Sequence, residues 1–219
     1  GDTVLVKCAI SYTSAENALA NLDSELTHWN FDRACADSRS EWNRYLGRIE
    51  VKGGTEAQQT KFYTDLWHVL LGRHKIDDAD GSYPDYTDGT RQGSQTVNVK
   101  YHTRTLPKDN QGQARFHMYS SDAFWLTQWN LNILWGLAWP EVQDDFAACL
   151  VQYARNGGLL PRGPVAGGYS YIMTTCPATP LITSAYQKGI LTNVPAQEAF
   201  RVMASNHRDG GMMGSTDEI

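Results

Sequence analysis

Residues 140–158 read PEVQDDFAACLVQYARNGG, and this stretch decides the fold class. Pro140 suits the first turn of a helix, where a proline's missing N–H would be unpaired anyway. Gly157-Gly158 suits a left-handed exit at the other end. The pattern between them is helical, with Cys149 on its apolar side. Upstream, a second helical pattern runs from about Asp122 to Ala138. Downstream, helices are predicted over 178–188, closed by Gly189, and over 195–207, opened by Pro195.

Toward the N-terminus the same signals recur. Thr55-Glu56-Ala57-Gln58 is a capping-box pattern, in which hydroxyl and amide side chains satisfy the first free N–H groups of a helix. Phe62, Leu66 and Leu70 follow at i, i+4, i+8 and place one apolar face, ending near Gly72. A further amphipathic stretch covers 32–46, with Trp42 and Tyr45 on one side and Gly47 after it. Thr13-Ser14-Ala15-Glu16 is another capping pattern. It precedes Ala15, Leu19, Leu22, Leu26 and Trp29 at helical spacing. Ahead of it, TVLVKCAI (3–10) alternates and predicts a strand. Residues 73–95 read as a long polar loop, and such loops in compact domains tend to carry function. Gln95–Tyr101 and Ala114–Tyr119 each alternate, and the polar turn 109–112 between them predicts a hairpin.

The sum is a mainly α chain, with one strand leading into about seven helices. There is no short internal repeat, which a helical solenoid would need. Long loops between helix pairs suit a toroid of paired helices better.

Composition narrows the function. Hydrophobic residues are 41% and charged residues 20% of the 219, so the chain is globular rather than disordered. The net charge is −5 and no run of Lys or Arg exists. Nucleic acid and anionic membrane surfaces are therefore excluded as expected partners. Gly1-Asp2-Thr3 reads as an internal start, with no signal peptide. Cys8, Cys35, Cys149 and Cys176 include no CxxC pair, which argues against zinc. They are expected to be mostly buried free thiols, and their spacing leaves the redox compartment open. No P-loop, GxGxxG, HExxH or GxSxG motif is present. His68 is expected to be packed rather than catalytic.

Three constellations remain. In the first, Asp77-Asp78-Ala79-Asp80-Gly81-Ser82-Tyr83-Pro84-Asp85 leads to Asp88-Gly89. It lacks the closing Glu of an EF-hand. It is either a solvated acidic turn or a loop that binds a sugar or a cation, since a carboxylate can accept from two adjacent hydroxyls. The second is Ser120 to Asn132, SSDAFWLTQWNLN. On one helix Trp125, Trp129 and Asn132 would share a face with Asp122. Trp at helical spacing is usually core, and Asp122 could be a plain cap. Polar groups among the Trp disfavour a dry core and suit a pyranose ring, whose apolar face stacks while its edge hydrogen-bonds. The third is Leu159-Leu160-Pro161-Arg162-Gly163-Pro164, where Arg162 reaches either a ligand oxygen or a surface carboxylate. Lys188, at a helix end, has a structural reading.

The order of several segments resembles glycoside hydrolase family 92. The anchors are Ile10-Ser11-Tyr12-Thr13-Ser14-Ala15-Glu16-Asn17-Ala18 to Asn21-Leu22, Glu41-Trp42, and Phe62-Tyr63-Thr64-Asp65-Leu66-Trp67-His68. Then come Asp78-Ala79-Asp80-Gly81-Ser82-Tyr83, the Asp122–Asn132 segment, Gly157-Gly158-Leu159-Leu160-Pro161 and Ala185-Tyr186-Gln187-Lys188-Gly189-Ile190. The resemblance implies that residues 1–11 are the last strand of an N-terminal β-sandwich. It makes 12–53 a helical linker and 54–219 the first, incomplete half of an (α/α)6 barrel. It implies a secreted, periplasmic or cell-surface, calcium-dependent, inverting exo-α-mannosidase. The partners implied are a mannose-containing glycan and the remainder of a parent polypeptide.

Asp78, Asp80, Asp122, Trp125, Asn132 and Arg162 are then expected in the substrate pocket. The acid, the base and most calcium ligands are expected beyond Ile219, with Glu218 a minor candidate. The family pattern Trp-Asp-Thr is replaced here by Trp129-Asn130-Leu131-Asn132. That departure opens the linkage, including mannosyl phosphodiesters, whose leaving group relaxes the need for an acid. The competing class is a non-catalytic carbohydrate-binding module built on the same residues.

Overall fold

The structure is a computed structural model that describes residues 2–121, 124–172 and 175–213. Seven α-helices lie among them. The first three are α1 (Ala15–Glu25), α2 (Phe31–Leu46) and α3 (Glu56–Leu70). Each starts where a side chain takes over a free N–H. Ser14 accepts from Asn17 N, Asn30 from Arg33 N, and Thr55 with Gln58 forms the full capping box. The remaining four are α4 (Leu131–Ala138), α5 (Pro140–Gly157), α6 (Ala178–Gln187) and α7 (Ala196–Asn206). Gly158 takes φ +85 after α5, the left-handed exit that its sequence predicts. The described residues also form three two-stranded antiparallel sheets. They pair β1 (His74–Lys75) with β4 (Tyr119–Ser120), β2 (Ser82–Gln92) with β3 (Gln95–Thr105), and β5 (Gly163–Val165) with β6 (Gly168–Ser170).

α5 is the centre of the core. Phe146, Ala147, Ala148, Cys149, Leu150, Val151 and Tyr153 are all buried, and α4, α6 and α7 pack around it. Phe146 meets Tyr119, Phe124 and Trp135 edge-on, the arrangement that ring quadrupoles favour. Two buried side chains fasten loops to this helix. Asp144 accepts from the backbone N–H groups of Thr192 and Asn193 at 3.0 and 3.2 Å, fixing the α6–α7 connection. Tyr83 reaches from β2 to Gln152 and Asn156.

Several expectations are corrected. Residues 3–10 pair with no strand among the described residues, and Val4, Val6 and Ile10 stand about three-quarters exposed. Their strand reading is left to partners elsewhere, whereas the next three expectations are changed. The polar stretch 73–95 is not a loop but holds β1 and β2. The hairpin joins β2 to β3 through Gly93-Ser94, not 95–101 to 114–119. Pro84 and the Asp/Gly residues hide β2 in the sequence, and register shifts between Asp85 and Asp88 and between Asp88 and Thr90 absorb them. The 109–112 segment is a tight turn held by Asp109, whose carboxylate accepts from Gln111 N and Gln113 N.

The 122–138 helix is shortened. Leu126 sits at φ +67 before a single 3₁₀ turn, Thr127–Trp129, so α4 starts only at Leu131. Leu19 and Trp29 are exposed rather than packed. Cys149 and Cys176 are buried free thiols as expected, but Cys8 and Cys35 are exposed free thiols. His68 is also exposed, its Nδ1 beside Thr64 O at 2.8 Å.

Candidate functional site

The acidic turn before β2 sends its carboxylates in different directions. Asp78 is buried against α1 and the segment before it. Its Oδ2 accepts from Ser11 Oγ at 2.8 Å, from Asn17 Nδ2 at 3.0 Å and from the Thr13 hydroxyl. Its Oδ1 accepts from Asn21 Nδ2 at 2.8 Å. Burial alone would raise the carboxyl's pKa. The four donors outweigh it, and the group is held below the ordinary aspartate value. Both Asp78 oxygens thus fasten the N-terminal segment to the body. Asp80, two residues on, is exposed; it accepts from Ser82 N at 2.7 Å and Ser82 Oγ at 3.0 Å. Gly81 lets the chain turn between them at φ +85.

The second constellation does not form one face. Trp125 is half-buried and Trp129 is 71% exposed, while Asn132 is 1% exposed. Leu126 at φ +67 sets Trp125 apart from the other two, and Asn130 at φ −147 separates Trp129 from Asn132. Asn132 lies inside, where both its side-chain amide atoms are buried with no hydrogen-bond partner among the described residues. Asp122 and Glu218 lie outside the described residues.

Arg162 is placed by the turn ahead of β5. It donates to Tyr171 O at 3.3 Å and Met212 O at 2.9 Å. Burial, with some help from Arg91, lowers its pKa from the usual guanidinium value. Arg91 itself lies over the Tyr171 ring, 4.7 Å from its centroid. The chain just before Asp122 is tied to the Arg162 loop, because Ser121 N donates to Pro164 O at 2.7 Å. Among the described residues no hydrogen bond or ion pair links Asp80 to Trp125, Asn132 or Arg162.

One group was missed by sequence reasoning. His117 Nδ1 lies 2.8 Å from Asp77 Oδ2, and Asp77 Oδ1 accepts from Met118 N at 2.8 Å. Asp77 and His117 line a groove of about 840 Å3 bounded by residues 8–12, α1 and β1. Asp145 stands nearby; burial raises its pKa against the opposing pull of His117 and Lys75. Only the Asp run containing Asp77 signalled this in the sequence, since His117 belongs to no motif.

The carboxylates of this region do not fit a calcium ion. Asp77 is taken by His117, Asp78 by four side chains, Asp85 by Arg104 and Thr87, and Asp88 by His102. Calcium needs six to eight convergent oxygens, roughly. Among the described residues no group of three or more His, Cys, Asp or Glu is placed to hold a metal.

The sequence profile described as "Glycosyl hydrolase family 92 catalytic domain" matches residues 17–217, and the chain belongs to that family. The inverting family 92 mannosidase BT2199 of Bacteroides thetaiotaomicron superposes with a TM-score of 0.70 at 24% identity, over 91% of this chain and 24% of its own. The family 92 α-mannosidase BT3965 of the same organism gives 0.73 at 20% identity, over 89% of this chain and 24% of its own. A complex of the latter enzyme with mannoimidazole gives the same score. The chain therefore spans about a quarter of these structures. No curated protein matches the sequence.

Proposed function

We propose that the chain is part of an exo-acting, inverting α-mannosidase on α-linked mannose of glycans, including mannosyl phosphodiesters. The observation that carries this reading is the family 92 catalytic-domain match over residues 17–217. A structural neighbour titled as an inverting mannosidase, and another in complex with mannoimidazole, support it. In this reading residues 1–11 close a β-sandwich, 12–53 form the linker, and 54–219 supply half of an (α/α)6 barrel. The protein works outside the cytoplasm, on secretion or at the cell surface.

Inversion needs one carboxylic acid at the leaving oxygen and one carboxylate that activates water across the ring. The reading places both, together with the calcium ligands, in polypeptide outside the described residues. This chain's own contribution is binding. Exposed Asp80 offers a carboxylate to sugar hydroxyls, Trp125 an apolar ring face in the pocket that Asp122 also shapes, and Arg162 the rim. Asp78 and Asn132 act beneath them, Asp78 by fixing the turn that presents Asp80.

The test is turnover of aryl α-mannoside and of mannosyl phosphate by the full-length protein, with and without chelator, for wild type and Asp80→Ala. Strong loss in the variant with folding intact is expected. Near-normal turnover would sink the assignment of Asp80. Mannose binding without turnover of either substrate would favour a carbohydrate-binding module instead.

A further inference from the structure

We propose that Tyr153 is a positioning residue for the mannoside pocket, its buried hydroxyl holding the segments that carry Asp80, Trp125 and Arg162 in one alignment. The role rests on the mannoside-binding reading above. Among the described residues Asp80 makes no hydrogen bond or ion pair to Trp125 or Arg162. Their spacing is therefore set by what lies beneath them. The nearby ladders are too short to set it alone. β1 with β4 pairs two residues and β5 with β6 pairs three, and isolated ladders of that length are marginal.

Tyr153 belongs to α5, the centre of the core, and is 0% exposed. Its hydroxyl donates to Tyr119 O in β4 at 3.2 Å and accepts from Gly167 N, between β5 and β6, at 3.2 Å. The Gly167 carbonyl in turn accepts from Tyr86 N in β2 at 3.0 Å. Asp80 precedes β2, Trp125 follows β4, and Arg162 stands one residue before β5. One hydroxyl on a rigid helix thus joins β4 to the β5–β6 hairpin, and Gly167 extends the link to β2. Burial holds the phenol's pKa well above its ordinary value, so it stays a neutral donor.

The same junction is fastened twice more. Ala166 N donates to Ser120 Oγ at 3.0 Å, and Ser121 N donates to Pro164 O at 2.7 Å. Ala166 sits at φ +45, a left-handed conformation unfavourable for a residue with a Cβ. Strain of that kind persists where the surroundings over-determine the backbone, and it gathers at ligand-binding sites.

The experiment uses the full-length protein, with mannoimidazole affinity by titration calorimetry and steady-state turnover of an aryl α-mannoside. Tyr153→Phe keeps the ring and removes only the bridge. Misaligned binding groups should raise Kd and KM about tenfold each, with kcat within about twofold. A merely structural loss moves differently, lowering the active fraction and hence kcat while leaving KM alone. Ala199→Gly, in α7, which packs on α5 and α6, is the stability control and should leave Kd and KM unchanged. Ser120→Ala cuts the neighbouring bond without altering α5 and should raise Kd in the same direction. It decides the matter if Tyr153→Phe does not fold. Unchanged Kd and KM in the folded variant, or an equal rise in Ala199→Gly, overturns the positioning role. Wild type that binds mannoimidazole without turnover sinks the hydrolase reading alone, and Kd still decides for Tyr153. Wild type that does neither sinks both.

Discussion

Asn21 and Asp78 clasp each other's segments. The Asn21 amide donates to Asp78 Oδ1 at 2.8 Å, and the Asn21 side-chain oxygen accepts from Ala79 N at 2.8 Å. This pair joins α1 to the turn that opens β2, and Asn21 Nδ2 also reaches Ile10 O at 3.2 Å. Asp78 thus joins residues 10–21 to the start of β2.

Asp78→Asn should therefore be costly. The new amide turns donors toward Ser11, Thr13 or Asn17, which are already donors, and leaves buried groups unpaired. A loss of about 2–4 kcal/mol is expected in urea unfolding. The pH dependence has a defined sign. The folded pKa is depressed, so the carboxylate's contribution is complete above the ordinary value of about 3.9 and disappears as pH falls through the folded pKa. The gap between wild type and Asp78→Asn should stay level from neutral pH down to about pH 5, then narrow below about pH 4. A gap that widens with acid would contradict the assignment.

Gly167→Ala should disrupt the contact between the β5–β6 hairpin and β2. Gly167 has φ +95, and a Cβ there would stand 2.3 Å from Pro84 O. Its own N–H donates to the buried Tyr153 hydroxyl at 3.2 Å, and its carbonyl accepts from Tyr86 N at 3.0 Å. Neither strand can retreat without breaking these bonds. We expect a loss above about 2 kcal/mol, read as a lower denaturant midpoint. Gly93→Ala, at a hairpin tip with open space around it, is the control and should cost clearly less.

Arg155 and Glu198 bridge α5 and α7 in a bidentate pair, both contacts at 2.7 Å. The side chains are 30% and 23% exposed, so the pair is partly shielded from solvent. A double-mutant cycle with Arg155→Gln and Glu198→Gln should return a coupling of about 0.5–1.5 kcal/mol. Arg155 is the main cause of the lowered Glu198 pKa. The coupling should then hold at neutral pH, fade as acid protonates Glu198, and weaken in high salt. A coupling unchanged between low and high salt would falsify an electrostatic origin.

The sequence made the helices legible because their ends are local chemistry. Ser14, Thr55, Pro140 and Gly158 each act on neighbours within a few residues, so a local pattern suffices. β2 was hidden because its bulges spoil the period of two and Pro84 reads as a breaker. The 122–138 segment was misread for the opposite reason. Its helical period is real, yet Leu126 adopts a left-handed conformation that no local rule assigns to leucine. Asn130, at φ −147, then puts Trp129 and Asn132 in separate elements, one exposed and one buried. Asp78 and Asp80 were legible as a special turn but not as two different roles. Their division depends on Ser11, Asn17 and Asn21, residues about sixty positions away in the chain.

Asn132 offers a stability prediction that bears on the site. Its side chain is buried and neither amide atom is hydrogen-bonded among the described residues, so with respect to them it carries a desolvation cost without return. Gly136, one turn on, leaves room for Gln143 Oε1 and Lys188, and the Lys188 ammonium donates to Asn132 O at 3.3 Å. Asn132→Leu is close in shape and removes both unpaired groups. It should raise stability by about 1 kcal/mol or more, a Tm increase of about 2–4 °C for a chain of this size. Backbone acceptance by Asn132 O is untouched, so Lys188 keeps its contact. If the variant instead melts lower, the amide has a partner in solution, and Asn132 regains a place in the binding pocket. If it melts higher while mannoside turnover is unchanged, Asn132 belongs to the interior and Asp80 and Trp125 carry the contact with sugar.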